Sequence, residues 1–178
     1  MTPTPDRTLF WHRRDLRTID NLGLSAAGEK GAVVPLYVLD PTLLELAGPE
    51  RTAFFVQALS SLQDSYREMG TDLLIRQGNP DDLVPELAAA HDADAVVWNQ
   101  DHSKYARERD LGIVQSLEDA GVSVTEVADM TLHEPGSILT TAGDHYSVFS
   151  YYYKKWADRP SAEPASPPAP DGLASVEG

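Results

Sequence analysis

The chain has 178 residues, 42% of them hydrophobic, no cysteine and a formal net charge of −14. That is enough for one sizeable core. No apolar run approaches the roughly 20 residues that cross a bilayer. The lack of Cys excludes disulfides and thiolate metal sites, and "MTPTPDRTLF" has no signal-peptide core, so a cytoplasmic location is expected.

Acidic side chains number 28 against 14 basic ones, and only Lys30, Lys104, Lys154 and Lys155 are lysines. Such a surface repels phosphate and argues against a domain that grips nucleic acid unaided. It suits high salt, where screening removes the self-repulsion of dense carboxylates, as well as it suits an ordinary acidic protein.

In chain order, the first predicted strand covers residues 8–11, inside "LFWHRRDLRTIDNLGL" (residues 9–24). A helix over 21–29 leads to a strand over 33–39. The clearest helix spans 50–69: Phe55, Ala58, Leu59, Leu62, Tyr66 and Met69 follow an amphipathic stripe, and Gly70 marks its end. A strand over 72–75, a helix over 83–91, a strand over 95–98, a helix over 104–120 and a strand over 122–127 complete the alternation. This pattern predicts a doubly wound, Rossmann-like α/β fold, a five-stranded parallel sheet with helices on both faces. Residues 129–150 form a long connection ending in "HYSVFSYYYKKW". From Pro160 the chain turns to "PSAEPASPPAPDGLASVEG", linker chemistry that is short of bulky apolar residues. The expected division is therefore a domain over 1–158 and a linker over 159–178.

In open α/β sheets the ligand crevice lies beyond the C-terminal ends of the strands, where strand order reverses. "HRRDLR" should rim it. G-x-G-x-x-G, G-x-x-x-x-G-K-[ST] and G-x-S-x-G are all absent, which disfavours a glycine-cradled phosphate and a serine hydrolase. Arg13, Arg14, Asp15, Arg17 and Asp20 are read partly as ion pairs that fix a loop, with Asp15 and Asp20 foremost in that role. After the fourth strand, "VVWNQDHSKYARERD" directs Asn99 and Asp101 towards the same crevice, with Tyr37 placed to stack on a ligand ring. Arg107, Glu108, Arg109 and Asp110 are expected on a mostly solvated helix face. His102 has no neighbour at ligand spacing, so no metal site is assigned.

"LFWHRRDLRTIDNLGL", "WNQDHSKYARERD" and "HYSVFSYYYKKW" together resemble the N-terminal α/β domain of the DNA photolyase and cryptochrome family. The resemblance implies a light-harvesting domain whose antenna chromophore sits in the cleft facing a larger helical domain, which binds FAD and damaged DNA. It implies that His12, Arg13 and Arg14 line the antenna site, that Tyr37 neighbours the ring, and that Asp101 bonds the polar edge. Arg51 would meet a ribityl or phosphate tail near a helix N-terminus. Asp15, Arg17, Asp20 and Asn21 would hold the loop. Ser103 stands where some folate-binding members carry glutamate, and Tyr151 where many members carry proline. The likeness is greatest to members that use 8-hydroxy-5-deazaflavin; FMN, FAD and methenyltetrahydrofolate are the alternatives. A cryptochrome, or a stand-alone nucleotide-binding or stress-type α/β protein, are the other functional readings.

Overall fold

Leu9, Phe10 and Trp11 are consecutive and all buried, which a strand achieves only when both faces of its sheet are covered. The structure, a computed structural model, describes residues 6–161 and 163–176. Strands β1 (Arg7–His12), β2 (Ala32–Leu39), β3 (Leu74–Gln77), β4 (Ala95–Asn99) and β5 (Ser123–Val127) form one sheet. Their order is β3-β2-β1-β4-β5, with every pairing parallel. Between them run α1 (Leu22–Lys30), α2 (Pro41–Glu45), α3 (Pro49–Glu68), α4 (Pro80–Ala90) and α5 (Lys104–Asp119). The doubly wound α/β architecture expected from the alternation is the one observed.

Strand parity sorts the core. Leu9, Trp11, Leu36, Val96 and Trp98 pack with Val84 and Leu87 of α4 and with Ile113 and Leu117 of α5. Phe10, Val33 and Val97 pack on the other face with Leu24 of α1 and with Leu59, Leu62 and Tyr66 of α3. The helix α4 starts at Pro80 rather than at residue 83. Asn79 caps it by accepting from the Asp81 amide at 3.2 Å, and Pro80 supplies its first turn. Asp40 before Pro41 opens α2 in the same way, a helix too short to show an apolar period. The strand β3 begins two residues later than expected, because the preceding residues close α3: the Thr71 amide donates to the Tyr66 carbonyl, and Asp72 pairs with Arg67.

The helix α6 (Phe149–Ala157) follows the irregular connection and buries none of its residues. Beyond it the proline-rich segment is irregular except for a short 3-10 turn at Pro170–Gly172. Though the segment is short of bulky apolar residues, Leu173 and Ala174 dock on the domain. Leu173 bridges to Val33, the Ala174 amide donates to the Val33 carbonyl at 2.9 Å, and the Thr71 hydroxyl donates to the Ala174 carbonyl at 2.6 Å. The physical reason is a gap in the sheet. Pairing of β2 with β3 starts only at Leu36, and a buried carbonyl such as that of Val33 needs a partner. Among the described residues no helix is long and apolar enough to cross a membrane.

Candidate functional site

Neighbouring strands β1 and β4 lie at the point where strand order reverses, with β2 and β3 on one side and β5 on the other. At this end of the sheet a crevice of about 660 Å³ is lined by His12, Arg13, Arg14, Tyr37, Arg51 and Asp101. The six residues that the family resemblance implied for the antenna site therefore meet at one space, but they do different work there.

His12 is fully buried. Its Nδ1 lies 3.0 Å from the Asp15 carbonyl and its Nε2 lies 2.6 Å from the Tyr66 hydroxyl. Burial lowers the His12 pKa against the opposing pull of Asp15. The neutral ring is assigned the tautomer in which Nδ1–H donates to that carbonyl and the Tyr66 hydroxyl donates to Nε2. No ring nitrogen is left for a ligand. Arg13 is buried as well, donating to Asp110 Oδ2 at 2.5 Å and to the Asn99 carbonyl, with its guanidinium 5.2 Å from the Trp11 ring. These two residues build the wall.

The loop after β1 is held as the sequence suggests. Buried Asp15 accepts from the Arg13 amide at 2.7 Å, Asn99 Nδ2 at 2.5 Å and Asn21 Nδ2 at 3.1 Å. Arg17 reaches Asp129 at 2.6 Å, Asn21 caps α1 through the Leu24 amide, and Asp20 takes a left-handed φ of 52° that aspartate tolerates. Asn99 corrects an expectation. It does not face the crevice: it shares the parity of Val97, on the α1 side, and joins Asp15, Asn21 Oδ1 (2.8 Å) and the Gly23 amide (3.0 Å). A Cβ at Gly23 would overlap Asn99 Oδ1, so this close approach requires glycine.

The remaining four offer polar or aromatic surface. The Arg14 side chain is 65% exposed, with Nη1 3.9 Å from Asp101 Oδ2. Exposed Arg51 lies in the first turn of α3. The Tyr37 ring sits 5.4 Å from Phe55, and burial, with Asp15 and Asp40 nearby, pushes its phenol pKa up to about 12, so the hydroxyl stays protonated. For Asp101, burial favours protonation. It is outweighed by hydrogen bonds from the Ser103 amide (2.9 Å) and side chain and by the charges of Arg14 and Arg13, which hold the carboxyl below its usual range. Asp101 is an ionised acceptor at neutral pH.

Sequence reasoning missed the floor. Arg107 and Glu108 are exposed as expected, but Arg109 and Asp110 are buried on α5. Arg109 Nε and Nη2 donate to Asp110 Oδ1 at 3.0 and 2.7 Å, and the guanidinium lies 4.7 Å from the Trp11 ring. The Tyr105 hydroxyl donates to Asp40 Oδ2 at 2.6 Å, which ties α5 to the end of β2. A signal was present: Ala106, Asp110, Ile113 and Leu117 fall at one helical period.

Apolar Leu43, Leu44 and Ala58 stand beside Tyr37 and Phe55, with charged groups at a few points. This lining fits a flat conjugated ring with a polar tail, in a volume typical of ligand pockets.

The strand order defines a doubly wound α/β domain with a crevice at its point of reversal. Residues 8–171 match the family described as DNA photolyase, and the chain belongs to that family. It is 44% identical over 177 residues to a deoxyribodipyrimidine photo-lyase of Halobacterium salinarum, covering 94% of this chain and 37% of that protein. A Synechococcus deoxyribodipyrimidine photo-lyase is 42% identical over 163 residues, covering 90% of this chain and 34% of the relative. The crystal structure of a class III photolyase from Agrobacterium tumefaciens superposes with a TM-score of 0.83 at 28% identity, over 100% of this chain and 38% of that one. An archaeal photolyase from Sulfolobus tokodaii, solved with two FAD molecules that imply a novel light-harvesting cofactor, gives 0.79 at 27% identity, over 92% and 37%. The chain spans about a third of the length of these two curated relatives.

Proposed function

We propose that this chain is the antenna-binding domain of a deoxyribodipyrimidine photolyase, a carbon–carbon lyase that repairs cyclobutane pyrimidine dimers in DNA. The observation that carries the reading is the crevice, at the strand-order reversal of a photolyase-family sheet, where Arg14, Tyr37, Arg51 and Asp101 converge from four segments. When bound there, the chromophore supplies absorbed energy that a reduced flavin in a second domain uses to split a flipped-out dimer. Ionised Asp101 accepts from the polar edge of the ring, Tyr37 packs against its face, and Arg51 meets a hydroxyl-rich or phosphate tail near the positive end of α3. His12 and Arg13 keep the wall in place. The partners are a helical FAD-binding domain of the same protein and, through it, damaged DNA.

The preferred chromophore is 8-hydroxy-5-deazaflavin, supported by the motif likeness, by the acidic, lysine-poor composition of the chain and by its 44% identity to a haloarchaeal relative. The cryptochrome reading has its own support in a 34% identical Cryptochrome DASH of Natronomonas pharaonis, and a repair assay on the whole protein separates the two. Fluorescence titration of 8-hydroxy-5-deazaflavin, FMN and methenyltetrahydrofolate tests the site. Asp101→Asn keeps the shape and removes the charge, so it should weaken deazaflavin binding roughly ten- to a hundredfold, and Arg14→Ala should weaken it less. Equal affinity of both variants and the unaltered protein would place the site elsewhere. Preference for the folate would name a different antenna.

A further inference from the structure

Three contacts of the proline-rich segment follow the order of the elements they meet. At the loop after β1, the Asp20 amide donates to the Ala165 carbonyl at 2.9 Å and the Ala165 amide donates to Asp20 Oδ1 at 3.2 Å. Pro168 then lies over Gly28 of α1, where an added Cβ would stand 2.9 Å from the proline Cγ. Leu173 bridges in parallel to Val33 of β2. The Ala174 amide donates to the Val33 carbonyl, and the Thr71 hydroxyl donates to the Ala174 carbonyl. Side chains divide between the two faces as in a strand: Leu173 packs with the α1 and α3 layer, Ala174 and Val176 with the α4 and α5 layer.

We propose that the β2 edge at Val33 is a strand-docking site, that its occupant is the chain's own residues 173–176, and that residues 165–176 are a strap of the domain rather than a linker leaving it. Val33 and Thr71 are both buried, so the strap supplies partners to two polar groups that the fold holds away from water. The site admits only a short segment. Strand parity turns Pro35 to the same edge, where it has no N–H to continue a ladder, and β3 takes over the pairing from Leu36. The occupant matches it, with a small residue, Ala174, buried between the larger Leu173 and Val176. Pro164, Pro167 and Pro168 restrict the free segment, so docking orders little chain. Gly28 fits the same picture: glycine inside a helix is unfavourable relative to alanine, and at this position it makes room for Pro168.

Gly28→Ala distinguishes a docked strap from a free tail by its sign. In a helix with nothing over it the change raises stability; beneath Pro168 it should lower the urea midpoint of the full chain. Leu173→Asp, which places a charge against the apolar layer, should release the strap, lower the midpoint and speed elastase cleavage within residues 165–176 by about tenfold or more. With the strap released, Gly28→Ala should recover its ordinary sign, so the double variant should have a higher midpoint than Leu173→Asp alone. In the unaltered chain the Ala174 amide should exchange with solvent about a hundredfold more slowly than in an unfolded peptide, a readout that stands even if a variant fails to fold. A raised midpoint for Gly28→Ala in the otherwise unaltered chain would overturn the strap. So would an unmoved midpoint and unchanged cleavage for Leu173→Asp, or exchange of the Ala174 amide at the unfolded rate.

Discussion

Asp15→Ala should cost the fold about 3–5 kcal/mol, the usual penalty for breaking a buried charged network by removing one member. Asp15 is 3% exposed and accepts from the Arg13 amide, Asn99 and Asn21, so its loss strands three donors in a dry environment. The same side chain lies 3.8 Å from His12 Nδ1. Urea unfolding of the variant should show a much lower midpoint at unchanged m-value, and a midpoint within experimental scatter of the unaltered chain would contradict the account. The pH dependence follows from two shifts. Burial lowers the His12 pKa from 6.5, so the unfolded state binds the proton first, and stability should fall as pH drops below about 6.5. For Asp15, burial opposes ionisation but His12, the Arg13 amide, Asn99 and Asn21 prevail and depress the pKa. Its contribution is therefore present above about 4 and is lost as pH falls through the depressed folded value. Asp15→Ala should remove the second of these two losses.

Irradiated with thymine-dimer DNA and added reduced FAD, the chain by itself should leave the lesions intact. Dimer splitting needs a flavin and a flipped nucleotide held together. The arginines found at the crevice are largely committed: Arg13 and Arg109 pair with Asp110, and Arg14 lies near Asp101. With a net charge of −14, binding to undamaged duplex near physiological salt should be undetectable in a shift assay. Appreciable splitting, or sub-micromolar retention of DNA, would show that this domain carries a lesion-binding surface of its own.

Much of this was legible in the residues, for identifiable reasons. Consecutive apolar positions such as Leu9 to Trp11 are possible only in a sheet covered on both faces, and the period of Leu59, Leu62 and Tyr66 fixes the buried side of α3. Arg14, Tyr37 and Asp101 are legible because the C-terminal ends of parallel strands and the loops that follow them rim the crevice at the strand-order reversal. Arg109 and Asp110 escaped because the run "ARERD" reads as solvated by composition, whereas helical phase puts two of its charges beside Ile113. Strand parity with Val97 turns Asn99 to the α1 face, away from the crevice. The tail misled because its average composition conceals Leu173 and Ala174, the residues that close the gap beside Val33.

We propose the crevice at the ends of β1, β2 and β4 as the seat of the chromophore. Its most direct test is to locate 8-hydroxy-5-deazaflavin in a complex with this chain, by intermolecular nuclear Overhauser effects or by a crystal structure. The ring should lie against Tyr37 and Phe55, with its polar edge at Asp101 and Arg14. A ring lodged instead in the adjoining cavity of about 390 Å³ on the far side of Asp101, between Gln100, Leu111, Glu126 and Glu134 and away from Tyr37, would contradict it.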